Sequence, residues 1–230
     1  MPEKTFFERK IRSFTLRTGR LTKGQENALE TQWPLYGLDI QGGRQALNDS
    51  FGHEQPRVLE IGFGMGDSLV EMAKNNPDKQ YIGIEVHTPG VGALLIQMQE
   101  QGVENIRIYK EDAVEVLDQV IADGTLERVQ IYFPDPWHKR RHNKRRIVQS
   151  EFINKLSKKL TADGIIHLAT DWEDYALHML EVMQHAQGFQ NLSPTGGYYP
   201  RPDWRPVTKF EQRGIRLGHG VWDLLFQKQA

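Results

Sequence analysis

The segment RVLEIGFGMGDSLVEMAKNN, residues 57–76, decides the fold. It opens with a short apolar run, passes through three glycines and continues as an amphipathic stretch. This order predicts a buried β-strand, a tight turn and an α-helix. A strand, a turn and a helix in succession form the first part of a βαβ unit, and the following sequence repeats the pattern.

Four more strand-like runs follow, each with a helical segment behind it. They are QYIGIEV, IRIYKED, RVQIYF and GIIHLATD, which begin at residues 80, 106, 128 and 164. Five strand–helix alternations predict a parallel sheet covered by helices on both faces. FQNLS and VWDLLFQK, which begin at residues 189 and 221, are two more candidate strands. We predict a doubly wound, three-layer α/β domain over residues 51–230, with a mostly parallel seven-stranded sheet, and a basic, partly mobile arm over residues 1–50.

Composition limits the class of protein. Of 230 residues, 38% are hydrophobic and 26% charged, and none is cysteine, which excludes disulfides and thiolate zinc sites. No apolar run is long enough for a bilayer, and MPEKTFFERK at the start lacks the apolar core of a signal peptide. We therefore expect a cytoplasmic protein without a membrane partner. The histidines show no metal-ligand spacing, so we predict no metal site.

The glycine loop after the first strand is the first candidate site. Gly62, Gly64 and Gly66 give the spacing G-x-G-x-G, preceded by Glu60, rather than the G-x-G-x-x-G of dinucleotide enzymes. Glycines here permit a tight turn and close approach of a ligand. A strand-to-helix turn that binds nothing is the alternative.

Two acids at neighbouring strand ends favour a ligand. Glu85 follows the second strand, 23 residues after Gly62, where an acid can accept both ribose hydroxyls. Asp112 follows the third, where a carboxylate can accept from an adenine amino group. Nothing resembles a lysine-bearing phosphate cradle, so an adenosyl ligand without pyrophosphate fits best. We hypothesise S-adenosylmethionine. The glycine spacing and the acids at the second and third strand ends argue against a nicotinamide dehydrogenase.

The fourth strand ends in FPDPW, residues 133–137. Pro134 and Pro136 fix the backbone around Asp135, as a reacting group requires. Trp137 could stack on a nucleobase. The alternatives are a capping role for Asp135 and a core position for Trp137.

Six of the eight residues 139–146 are basic, and a second basic set lies in the arm. Such clusters suit phosphate, although a solvated loop and a solvated tail are the alternatives. The arm set comprises Arg9, Lys10, Arg12, Arg17, Arg20 and Lys23.

The motifs LEIGFGMG, GIEVHTPGVGALL, FPDPWHKRRHNKRR, LATDWEDYA and RPVTKFEQRG together resemble the bacterial tRNA (guanine-N7)-methyltransferases. The resemblance covers nearly the whole chain. Many methyltransferases share the glycine loop, whereas Pro-Asp-Pro-Trp with its basic tail and Thr-Lys-Phe-Glu are more specific. The chain varies at His138 and Arg140, where relatives often carry other residues, and keeps Asp135 and Lys139.

The resemblance implies a Rossmann-like class I methyltransferase that methylates N7 of guanosine 46 in the tRNA variable loop and releases S-adenosylhomocysteine. It implies that Asp135 is catalytic. The implied cofactor acids are Glu60, Glu85, Asp112 and Asp135. The implied substrate contacts are Lys139, Asp171, Thr208, Lys209, Phe210 and Glu211, with Arg141, Lys144, Arg145 and Arg146 in the RNA-contacting run.

Several alternatives stay open at this point. The acceptor could be another RNA or an amine, because amino-group methyltransferases carry similar Pro-rich tetrapeptides, and a non-catalytic RNA-binding module is a further reading. Asp135, Asp171 or Glu211 could take the Watson–Crick edge of guanine, and Asp171 could instead cap a helix. Residues 208–211 could be an ordinary exposed turn. We expect a monomer or homodimer without an obligate protein partner.

Overall fold

The computed structural model describes residues 12–15, 19–208, 211–212, 216, 218 and 220–229. Its strands are β1 Gly37–Leu38, β2 Arg57–Ile61, β3 Gln80–Ile84, β4 Ile106–Tyr109, β5 Leu126–Tyr132, β6 Leu160–Thr170, β7 Phe189–Asn191 and β8 Trp222–Lys228. Its α-helices are α1 Lys23–Thr31, α2 Trp33–Tyr36, α3 Gly43–Phe51, α4 Asp67–Asn75, α5 Thr88–Gln101, α6 Ala113–Gln119, α7 Ser150–Lys159 and α8 Glu173–Gln184. Two short 3₁₀ helices cover Ile40–Gly42 and Arg140–Arg145.

All eight strands form one sheet in the order β1-β4-β3-β2-β5-β6-β8-β7. The pairs up to β6 are parallel, and β8 runs antiparallel to β6 and β7. The predicted doubly wound, mostly parallel fold is confirmed. The predicted count of seven strands was wrong by one, because β1 is only two residues long and gains strand character solely by pairing with β4.

Two apolar cores lie on the two faces of the sheet. One joins the sheet to α3, α6, α7 and α8, and the other joins it to α1, α4 and α5. Strands such as β3, buried along their whole length, read as continuous apolar runs because helices cover both faces. The three-layer prediction is confirmed.

Part of the predicted arm is packed on the domain. Thr22 and Gln25 form a reciprocal capping box at the start of α1, and the Gln25 side-chain amide donates to Pro89 O of α5 at 3.0 Å. The boundary at residue 50 remains a prediction. Arg9, Lys10 and Arg17 of the basic set lie outside the described residues.

Backbone hydrogen bonds between neighbouring chain segments continue beyond the carboxyl ends of the strands. Gly62 N donates to Ile84 O at 2.8 Å, and Phe133 N donates to Ala169 O at 2.8 Å. The residues after β2, β3, β5 and β6 therefore meet along one edge, where open α/β sheets bind ligands. Among the described helices, none combines the length and apolar character needed to cross a membrane.

Candidate active site

The glycine loop turns the chain from β2 into α4. Gly62, Gly64 and Gly66 have φ of 78°, 59° and 88°, a region that residues with a Cβ rarely adopt. A Cβ on Gly62 or Gly64 would meet nothing within 4 Å, so the loop borders open space. A Cβ on Gly90 of α5 would lie 2.1 Å from Gly64 O, so this second glycine allows helix and loop to pack closely.

Glu85 is held against this loop by two backbone N–H groups. Gly64 N donates to its Oε2 at 2.9 Å, and His87 N donates to its Oε1 at 2.9 Å. Each carboxylate oxygen keeps a further lone pair, so Glu85 can still accept from hydroxyl groups. Ribose binding by Glu85 remains a prediction, and this geometry leaves room for it.

A pocket of about 420 Å³ opens over the loop and Glu85. This volume lies in the usual range for small-molecule sites. Its walls come from four strand ends and from the segment Ser13–Thr15, and they include Phe133, Pro134 and Asp135. The pocket therefore joins the predicted cofactor loop to the predicted catalytic residue.

Two consecutive acids follow β4, and they face different surroundings. Asp112, the predicted adenine contact, accepts from Val114 N at 2.9 Å as the N-cap of α6 and lines a neighbouring depression. Glu111 lines the pocket itself, and its buried Oε2 has no hydrogen-bond partner among the described residues. Sequence reasoning missed Glu111 because a strand-end position does not tell which of two adjacent acids faces the pocket.

Glu60 lies beneath the loop rather than in the pocket wall. It is 2% exposed and accepts a 2.9 Å hydrogen bond from Gln130 Nε2. Loss of hydration on burial raises the pKa of Glu60 to about 7. A carboxyl group in this state costs folding free energy once it ionises.

The pH dependence of stability should reveal this cost. Because the folded pKa lies above the unfolded value of 4.5, the contribution is present below pH 4.5 and is lost as pH rises to about 7. Glu60→Gln should therefore gain stability over wild type between pH 5 and pH 8, by about 3 kcal/mol at most. Urea unfolding across that range measures it, with exposed Glu100→Gln as the control. A difference between Glu60→Gln and wild type that is constant with pH would contradict the assignment.

The FPDPW loop has an unusual backbone. Phe133 and Trp137 have φ of 50° and 48°, on either side of Pro134 and Pro136. A non-glycine residue in this region costs about 1–3 kcal/mol and is held by its surroundings, often at functional sites. Asp135 lies between them, exposed to solvent. Its side chain accepts no hydrogen bond from the described part of the chain, so a capping role for Asp135 finds no support there.

Trp137, which was predicted to stack on a nucleobase, is in contact with Arg145 and Ser13. The Arg145 guanidinium lies 4.0 Å from its ring centroid, and its indole Nε1 donates to Ser13 O at 3.0 Å. Arg145 also donates to Arg12 O at 3.1 Å and to Phe14 O at 3.3 Å. In this structure both residues hold the segment that borders the pocket.

The basic run divides into exposed and buried cations. Lys139, Arg141 and Lys144 are exposed, as an RNA-contacting role requires. Arg146 is 3% exposed, donates to Pro136 O at 2.9 Å and pairs with Asp174. The prediction that Arg146 contacts RNA needs correction, because its guanidinium is buried and is bonded to Pro136 O and to Asp174 of α8.

The acids after β6 and in the late segment also differ. Asp171 is exposed, and α8 takes Trp172 as its N-cap residue, so the capping alternative for Asp171 was wrong. Thr208 Oγ1 accepts from Glu211 N at 3.1 Å. The predicted contacts Lys209 and Phe210 lie outside the described residues.

Glu211 is buried and forms an ion pair with Arg205. It is 5% exposed, and Arg205 donates to its two oxygens at 2.6 and 2.8 Å. Arg205 also donates twice to Asp223 of β8, at 2.7 and 2.8 Å. The prediction that Glu211 could read the guanine edge is therefore disfavoured, since both of its oxygens are already bonded to a buried cation.

The same buried network continues under the site to Glu60. His167 Nε2 lies 2.7 Å from Asp223, and its Nδ1 receives the Trp204 indole N–H at 3.2 Å. Because an indole can only donate, His167 Nδ1 must accept, which fixes a neutral ring that donates through Nε2. Burial likewise lowers the pKa of His167. The Tyr132 hydroxyl, three residues before Asp135 in the chain, lies 2.8 Å from the same Nδ1 and 3.2 Å from Gln130 Oε1, and its single proton can be donated to only one of these two acceptors.

Among the described residues, no cluster of His, Asp and Glu side chains has the arrangement of a metal site.

Comparison with known proteins gives a consistent result. The family model described as "Putative methyltransferase" matches residues 54–224. The tRNA (guanine-N(7)-)-methyltransferase of Pseudoalteromonas atlantica is 62% identical over 228 residues, which cover 99% of this chain and 95% of that protein. The enzyme of the same name from Aeromonas hydrophila is 62% identical over 222 residues, 96% of this chain and 94% of that protein.

Solved structures match the fold at low sequence identity. The 16S rRNA methyltransferase KamB superposes with a TM-score of 0.60 at 11% identity, over 81% of this chain and 94% of that one. A likeness at this identity supports the architecture only.

Proposed function

The chain belongs to the tRNA (guanine-N(7)-)-methyltransferase family, and from this we propose that it methylates N7 of guanosine 46 in the variable loop of tRNA. It is a methyltransferase that uses S-adenosylmethionine and acts on guanine N7 in tRNA. One observation assigns this reaction to particular residues of the chain. The pocket over the glycine loop and Glu85 is walled by the segment that bears Asp135 and continues into exposed cations.

The residues present fit the cofactor. Gly62 and Gly64 leave open space where side chains would stand, and Glu85 is fixed beside them with acceptor capacity to spare. We propose that Glu85 binds the ribose hydroxyls, that Glu111 or Asp112 binds the adenine amino group, and that Glu60 and Gly66 support the loop. When bound, S-adenosylmethionine supplies an electrophilic methyl group on a sulfonium sulfur.

Methyl transfer to guanine N7 requires the protein to position the base and to stabilise charge, and it does not require a general base. Guanine N7 carries a lone pair and no proton, so no residue has to remove one. Holding N7 in line with the methyl group should supply much of the rate. Asp135 can accept from guanine N1–H and the amino group, which selects guanine over adenine. The same carboxylate stabilises the positive charge that develops on the purine.

Asp171 is the second candidate for the Watson–Crick edge. It is exposed, and it follows β6, the strand next to the one that leads to Asp135. We favour Asp135 and Asp171 over Glu211, because Arg205 already binds both Glu211 oxygens.

The exposed cations suit the tRNA backbone. We propose that Lys139, Arg141 and Lys144 contact phosphates, and each contact should make affinity fall as salt rises. Arg145 could join them by leaving residues 12–14, which would free Trp137. We further propose a cytoplasmic protein that acts as a monomer or homodimer without a metal ion or a membrane.

Methyl transfer to two tRNA transcripts tests the acceptor. One transcript carries guanosine at position 46 and the other adenosine. We expect label from S-adenosylmethionine on the first transcript only. Equal labelling of both would show that the acceptor lies elsewhere, while the family assignment of the cofactor pocket would be unaffected.

A further inference from the structure

Trp172 differs from the other tryptophans of the chain. Trp172 is 42% exposed, whereas Trp33, Trp137, Trp204 and Trp222 are all partly buried. A tryptophan that is exposed offers a large, rigid apolar face to a ligand, and tryptophan is enriched at binding interfaces.

The ring is nevertheless held in place. Its backbone begins α8, where the Trp172 carbonyl accepts from Tyr175 N at 3.0 Å and from Ala176 N at 2.9 Å. The indole meets the His138 ring edge to face, with centroids 4.3 Å apart. Two separate segments, the β6–α8 junction and the loop after β5, thus fix an exposed aromatic face before any ligand arrives.

The position of this face matches a nucleobase site. Trp172 directly follows Asp171, and His138 is three residues after Asp135. The hydrogen bond from Phe133 N to Ala169 O keeps these two chain segments side by side. An aromatic face beside two exposed carboxylates, with the exposed cation Lys139 next in the chain, offers stacking, edge recognition and phosphate binding together.

Trp137 cannot offer the same surface in this structure. Arg145 covers its ring at 4.0 Å, and its indole N–H is bonded to Ser13 O. We propose that Trp172 stacks on the guanine that accepts the methyl group and holds it beside Asp171. This inference rests on the proposed function and adds a base-binding residue to it.

Kinetics of three variants test the proposal. Trp172→Ala should lower kcat/KM for tRNA by about tenfold or more, the loss expected for one aromatic–base stack. Trp172→Phe keeps a ring and should stay close to wild type. The affinity for S-adenosylhomocysteine, measured by calorimetry, should not change in either variant. Leu177→Ala is the matched control, because Leu177 is a 58% exposed apolar residue of α8, the helix that follows Trp172.

Fluorescence of 2-aminopurine locates the stacked base. Placed at the acceptor position, this base should be quenched by wild type and by Trp172→Phe, and should be brighter in complex with Trp172→Ala. A response only from a neighbouring position would overturn the assignment to the acceptor base. Wild-type turnover of Trp172→Ala would overturn the stacking role altogether. Since wild-type protein is assayed alongside, failure of the proposed function would appear separately, as no transfer by any protein.

Discussion

Asp135→Ala should lower kcat for tRNA methylation by about a hundredfold to a thousandfold, the size expected when one preorganised charge is removed from a transition state. Asp135 is the exposed acid in the pocket wall, on a backbone held between two residues of positive φ. Without it, guanine loses a partner for its Watson–Crick edge, and the charge developing on the purine loses its stabilising carboxylate.

The binding steps should survive this substitution. The substitution leaves Glu85, the glycine loop and the exposed cations in place, so calorimetry should still detect S-adenosylhomocysteine and a shift assay should still detect tRNA. Asp78→Ala, which removes an exposed acid before β3 at the opposite edge of the sheet, should keep full activity. A kcat near wild type for Asp135→Ala would refute the assignment.

Arg205→Met should destabilise the fold by about 3–5 kcal/mol, because it leaves buried carboxylates without their cation. Arg205 is 1% exposed, and its partners Glu211 and Asp223 are 5% and 3% exposed. Urea unfolding measures the loss. Arg44→Met on the surface of α3 should change stability by less than about 0.5 kcal/mol.

A triple variant separates loss of charge balance from loss of packing. Adding Glu211→Gln and Asp223→Asn to Arg205→Met removes both buried charges, so part of the lost stability should return. If the triple variant were less stable than Arg205→Met alone, unpaired charge would not be the cause.

The local sequence pattern was sufficient to predict the strands, helices and glycine loop that position the site. The five strand–helix alternations and the glycine spacing depend on short-range periodicity and on backbone conformation, which the sequence shows directly. Glu85 and Asp135 followed from position alone, because the carboxyl ends of parallel strands meet at one edge.

Side-chain contacts between residues far apart in the chain could not be predicted from local pattern. Arg146 lost its predicted RNA role to Asp174, which is 28 residues away, and Trp137 is bonded to Ser13, which is 124 residues away. Both belong to the motif that most resembles an RNA site. Whether a charge or a ring in such a motif is free depends on tertiary contacts that the motif itself does not encode.

Glu211 makes the same point for the late segment. Arg205 is close to it in the sequence, but an Arg and a Glu at this spacing are equally compatible with an exposed turn and with a buried ion pair. Arg205 also donates twice to Asp223 on β8, and this contact with a separate strand is not visible in the late segment alone.

Mapping of the methylated atom tests the central claim most directly. An unmodified tRNA transcript is incubated with wild-type protein and S-adenosylmethionine, reduced with borohydride and treated with aniline, which cuts the chain at N7-methylguanosine. We predict a single cut at position 46, which Asp135→Ala fails to produce. Methyl incorporation without a cut at that position would contradict the account, because the acceptor would then be another atom or another nucleotide.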